Sequence, residues 1–162
     1  MPGSGKSTVG RQLARRLQLP FIDADHWVEQ HLGCSIREYF EREGEASFRD
    51  VEAQAIADIC DGGPAVVATG GGAILRPANR DRLRDRARVF YLFATPEEVY
   101  RRLRHDQNRP LLQVDDPLAR LRELFTQRDA LYRETAHDVI TIGRPSTASL
   151  VNTIAAILQP PA

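Results

Sequence analysis

Lysine is all but missing from this sequence: Lys6 is the only one, and every other basic position is arginine. The two cations are different tools, a compact rotatable ammonium against a planar five-donor fork. A chain so biased towards arginine that keeps one lysine marks a place where arginine will not fit. Cysteine is scarce too. Cys34 and Cys60 form neither a metal-spaced cluster nor a disulfide framework, which suits a reducing cytoplasm. Net charge is also lacking. Acidic and basic residues balance at 22 each, which removes any general electrostatic argument for nucleic acid or membrane binding. No apolar run approaches the ~20 residues of a membrane helix. The opening residues are glycine-rich rather than charged and then apolar, so no signal peptide is read there.

What remains is ordinary in bulk. With 162 residues, 42% hydrophobic and 27% charged, the expectation is one globular domain over residues 1–162. Apolar runs read as strands at Pro20–Ala24, Ala65–Thr69, Arg88–Ala94 and Asp138–Ile142. Between them, Val9, Leu13 and Leu17 keep the spacing of one helix face. Pro77, Pro96 and Pro117 each stand where a proline opens a helix, and the last helix runs over Ser146–Leu158. Such alternation implies βαβ units around a parallel sheet. The arginine-rich runs Arg80–Arg88 and Arg101–Arg104 read as solvated helix faces.

The lone lysine lies in Gly3-Ser4-Gly5-Lys6-Ser7-Thr8, the end of a Walker A phosphate loop. Glycines let the backbone curl so that its N–H groups face phosphate oxygens, and the following helix adds its positive end. Lys6 would reach the β- and γ-phosphates of ATP, and the Ser7 hydroxyl would ligate Mg²⁺. The pattern also calls for a glycine one residue before Met1 and a strand leading into the loop. In doubly wound sheets that strand is central, and without it two neighbours lose their partner. The expectation is that Met1 is internal to a longer natural chain whose upstream residues form that first strand.

Phe21-Ile22-Asp23-Ala24-Asp25 ends an apolar run in two carboxylates. On an extended chain both point out of the strand's carboxyl end towards the phosphates. One can hold Mg²⁺ and the other can accept a proton from an attacking hydroxyl. Asp25 could equally cap a helix starting at His26. Gly70-Gly71-Gly72 follows a strand and exceeds what a turn needs, which predicts a backbone brought close to a ligand. Asp106–Pro117 is polar and carries Arg109, a pattern that fits a water-excluding lid and a plain surface loop alike.

These residues resemble the shikimate kinases over essentially the whole chain. The resemblance rests on Gly33-Cys34-Ser35-Ile36, Gly44-Glu45-Ala46-Ser47-Phe48-Arg49 with Glu52, Gly70-Gly71-Gly72-Ala73, Arg109-Pro110-Leu111-Leu112 and Arg128-Asp129-Ala130-Leu131-Tyr132, in that order. It implies a three-layer P-loop α/β fold like that of nucleoside monophosphate kinases, with a substrate-binding segment at about 25–60 and a lid at about 106–117. It further implies that Asp25, Arg49, Gly71 and Arg128 hold shikimate, with Asp25 as the base. Ser7 and Asp23 would serve Mg²⁺. Arg109 would lie on the ATP phosphates, Arg102 against adenine, and Arg144 near a second adenine contact. His26, His31, His105 and His137 match no catalytic position and read as surface or packing residues.

The reaction implied is ATP + shikimate → ADP + shikimate 3-phosphate, in a cytoplasmic monomer serving aromatic amino acid synthesis. Lys6, Asp25 and Arg109 would carry the chemistry. A gluconate-type kinase shares the loop and lid, and a non-catalytic nucleotide binder is the other alternative. A regulatory GTPase is excluded, because its guanine-reading motif needs an Asn-Lys pair and the only lysine is Lys6.

Overall fold

The structure, a computed structural model, describes residues 6–103, 115–142 and 146–159. Its strands are β1 (Phe21–Asp23), β2 (Val66–Ala68), β3 (Phe90–Phe93) and β4 (Asp138–Thr141). Its helices are α1 (Lys6–Leu17), α2 (Ala24–Leu32), α3 (Ile36–Asp61), α4 (Pro77–Arg86), α5 (Pro96–Leu103), α6 (Pro117–Thr135) and α7 (Thr147–Leu158). A short 3₁₀ turn, Ala73–Leu75, follows β2. All four predicted strands form, the first three trimmed at both ends and the fourth only at its last residue, and Pro77, Pro96 and Pro117 each open a helix. Ser35, Asp116 and Ser146 cap α3, α6 and α7 by accepting a backbone N–H of the first turn.

Both strand pairs are parallel, β1 with β2 and β3 with β4, each joined through helices as a parallel crossover requires. Strand β3 shows why helices cover two faces. Phe90 and Leu92 point into a core with Val9 and Leu13 of α1 and Val151 and Ile154 of α7. Tyr91 and Phe93 point the other way, against Phe125 and Tyr132 of α6 and Ile74 of the 3₁₀ turn. Alternating side chains with apolar partners on both sides make a helix–sheet–helix sandwich. A third cluster, Val28, Phe48 and Ala55 with Trp27 and Phe40, holds α2 against α3.

Among the described residues β2 and β3 are not bonded to each other. A cavity of about 720 Å³ is lined by residues of both strands, among them Val66, Ala68, Phe90 and Leu92, and by Val9 of α1.

Helix α3 is bent at Gly44, whose φ of 86° and ψ of 171° lie in a region essentially reserved for glycine. Nothing lies within 4 Å of where its Cβ would sit, so only backbone conformation demands glycine there. Gly44→Ala is therefore expected to cost about 1–3 kcal/mol of stability. Urea unfolding checks this, and a midpoint unchanged from the parent would refute it.

Candidate active site

Three features meet at one end of the strands: the start of α1, the junction of β1 with α2, and the glycine run after β2. Lys6 opens α1, where unsatisfied backbone N–H groups gather and favour an anion. One residue on, the Ser7 hydroxyl donates to Asp23 Oδ2 at 3.3 Å. The other oxygen of Asp23 caps α2, accepting the backbone N–H of Asp25 at 3.0 Å and of His26 at 3.3 Å. The cap is thus Asp23, not Asp25, and the helix begins at Ala24, not His26. The strand stops at Asp23, so the two carboxylates come together through a helical turn rather than through the pleat of an extended chain.

Asp25 sits in the first turn of α2 and is half-buried. Burial raises its pKa above the ordinary 3.8; the nearby Lys6 ammonium opposes this, Asp23 and Glu29 add to it, and Arg49 opposes it. A carboxylate held among two cations, with a heightened affinity for a proton, is suited to take one from a hydroxyl.

The glycine run has a spatial reason. None of the three has a positive φ, so backbone freedom does not explain them. Each instead lies against a charged side chain from a different helix. A Cβ on Gly70 would fall 2.6 Å from Asp25 Oδ1, and one on Gly72 would fall 2.5 Å from Arg49 Cζ. A Cβ on Gly71 would sit 3.3 Å from both Arg128 Nη1 and Tyr132 Oη. Asp25, Arg49 and Arg128 are brought together over one stretch of bare backbone. The turn is braced from behind, where Asn79 Nδ2 donates to the Ala73 carbonyl at 3.0 Å and Arg80 Nη1 to the Ile74 carbonyl at 2.8 Å.

Arg49 pairs with Glu52, Nη1 to Oε1 at 2.9 Å, and more loosely with Glu45 at 3.5 Å. Glu52 is only 5% exposed, and burial raises its pKa against the pull of Arg49. The Nε atoms of Arg49 and Arg128 are buried with no hydrogen-bond partner among the described residues, and no other described side chain leaves a buried nitrogen or oxygen so. A buried donor without an acceptor is costly unless a ligand supplies one. Two such donors, on guanidinium groups flanking the same turn, fit an anion such as a carboxylate.

The family model for shikimate kinase matches residues 2–159. A shikimate kinase from Paracidovorax citrulli is 59% identical over 162 residues, covering 98% of this chain and 88% of that protein. The chain belongs to the shikimate kinase family. Another member, from Ralstonia nicotianae, is 54% identical across 99% of this chain and 87% of its own length. The solved shikimate kinase from Acinetobacter baumannii in complex with shikimate superposes with a TM-score of 0.90 at 42% identity, over 96% of this chain and 87% of that one. The one from Bacteroides thetaiotaomicron gives 0.89 at 28% identity, over 97% of this chain and 93% of that one. The fold is therefore the three-layer P-loop α/β fold that the resemblance implied.

Within this shikimate kinase site the remaining expected residues stand as follows. Thr8 is exposed on α1, and Arg102 is exposed in the last turn of α5. Gly3, Ser4, Gly5, Arg109 and Arg144, most of the lid, and His105 lie outside the described residues. His26, His31 and His137 are exposed; His31 Nδ1 is 2.8 Å from the Trp27 carbonyl, and His137 Nδ1 accepts the Val89 N–H. Two residues escaped the sequence reading as site residues: Glu52, which holds Arg49, and Tyr132, which touches the glycine run. The three-residue spacing of Arg49 and Glu52 on one helix was the available signal for the first.

Proposed function

We propose that Arg49, Arg128, Asp25 and the glycine run hold shikimate while Lys6 holds the phosphates of ATP. The product pair is ADP and shikimate 3-phosphate. The two partnerless guanidinium nitrogens beside Asp25 carry this reading, since they provide for one carboxylate and leave the aspartate for a ring hydroxyl. Asp25 orients the 3-hydroxyl and accepts its proton as oxygen attacks the γ-phosphorus. Lys6 and the positive end of α1 stabilise charge on the transferring group, and Arg109 and Arg102 would serve the phosphates and adenine. Gly3, Ser4, Gly5 and Thr8 complete the phosphate cradle, and Arg144 a second adenine contact.

Ser7 and Asp23 fit Mg²⁺, because two oxygens already 3.3 Å apart suit an ion that takes few protein ligands and keeps water and phosphate for the rest. Bound there, it would neutralise phosphate charge. The enzyme is read as a monomer. The free thiols Cys34 and Cys60 suit the cytoplasm, and no described helix is long and apolar enough to cross a membrane.

A coupled ADP assay with shikimate against gluconate tests the acceptor; faster turnover with gluconate would reverse the assignment. Arg49→Ala is expected to raise the KM for shikimate about 30-fold or more, since it removes a carboxylate partner and strands buried Glu52. The KM for ATP should barely move. Equal loss for both substrates would mean a general structural defect instead.

A further inference from the structure

Tyr132 lies four residues after Arg128 on α6, so both side chains leave the same helix face. It is 8% exposed, and its hydroxyl donates to the Gly71 carbonyl at 2.6 Å. Arg128 Nη1 and the Tyr132 hydroxyl both stand 3.3 Å from the position of a Gly71 Cβ, so they crowd the same residue from one side. The ring is fixed as well. It packs on Tyr91 with centroids 4.9 Å apart, and the Tyr91 hydroxyl is tied to Asp129 Oδ1 at 2.9 Å. Burial raises the Tyr132 pKa above 10.0, while Arg128 opposes the shift, so the phenol keeps its proton and stays a donor at neutral pH.

The peptide between Gly71 and Gly72 is planar and trans. Holding its carbonyl towards α6 fixes the Gly72 N–H in the opposite direction. Glycines have no side chain to limit that rotation, so an outside anchor is needed.

We propose that Tyr132 is a positioning residue for the acceptor: its hydroxyl locks the Gly71–Gly72 peptide and sets Arg128 against it, so that backbone and guanidinium reach the acceptor in register. The inference rests on the shikimate reading above. It assigns Tyr132 no contact with ATP.

The test is steady-state kinetics of Tyr132→Phe, varying each substrate at saturating levels of the other, with Tyr91→Phe alongside. The phenylalanine keeps the ring packing and removes one hydrogen bond. The expected result is a shikimate KM raised about fivefold to tenfold, an ATP KM within about twofold of the parent, and no such split in Tyr91→Phe, which loses only the bond to Asp129. An unchanged shikimate KM in Tyr132→Phe would overturn the proposal, as would parallel rises for both substrates or the same split in Tyr91→Phe. A parent enzyme without shikimate-dependent turnover would sink the function and this inference together. An active parent with an indifferent Tyr132→Phe would sink this inference alone.

Discussion

Lys6→Met is expected to lower kcat with shikimate by about 10²–10³-fold while leaving the thermal midpoint nearly unchanged. Loss of one preorganised charge or donor from a transition state commonly costs that much. Lys6 is the first residue of α1, outside the apolar cores built on Val9 and Leu13, so the fold does not depend on its side chain. A second signature is specific to this site. Lys6 is the strongest influence holding the Asp25 pKa down, so its removal should push that carboxyl further up. Lys6→Arg should also be poor, because a planar fork cannot replace a compact ammonium in a cradle of backbone amides. Stopped-time ADP assays and thermal melts check all of this. Turnover within tenfold of the parent would remove Lys6 from the mechanism.

Asp25→Asn should reduce kcat by about 10²–10⁴-fold, the usual worth of a positioned general base. The amide keeps the shape that fits against Gly70 but cannot accept the proton. In the parent, kcat/KM should fall as pH drops through a value above 3.8, because burial makes the carboxyl hold its proton longer and only the ionised form is a base. The sign for stability is the reverse. A native pKa above the unfolded one favours the folded chain below 3.8, and that advantage disappears as pH rises through the native value. At neutral pH the buried charge is a burden, so Asp25→Asn should be at least as stable as the parent. Full activity, or a collapse in stability, would contradict the assignment.

Much of the fold was legible because it is local. The four strands are short β-rich runs, and the proline-opened helices follow from a residue that suits a first turn and no later one. Strand ends were less legible, because Ala24 could extend a strand or start a helix until Asp23 was seen to cap α2. The site was legible as a set of parts. Lys6 stood out by rarity and Gly70-Gly71-Gly72 by repetition. Which charge each glycine would face was not readable, since Asp25, Arg49 and Arg128 lie on three helices far apart in the chain. The motif Arg128–Tyr132 contains Tyr132 but gives no sign of its partner, because its bond spans 61 residues.

That meeting of three helices on bare backbone has a consequence for anyone wishing to retrain this enzyme on a new acceptor. A mutant library confined to residues 70–72 should return few active clones, because a carbon added at 70 or 72 overlaps Asp25 or Arg49 and one added at 71 presses on Arg128 and Tyr132. Diversity placed instead at 49 and 128 changes what the floor is offered while leaving the floor and the base intact. Useful clones should therefore carry changes on α3 and α6 together, and single hits in the loop should be rare.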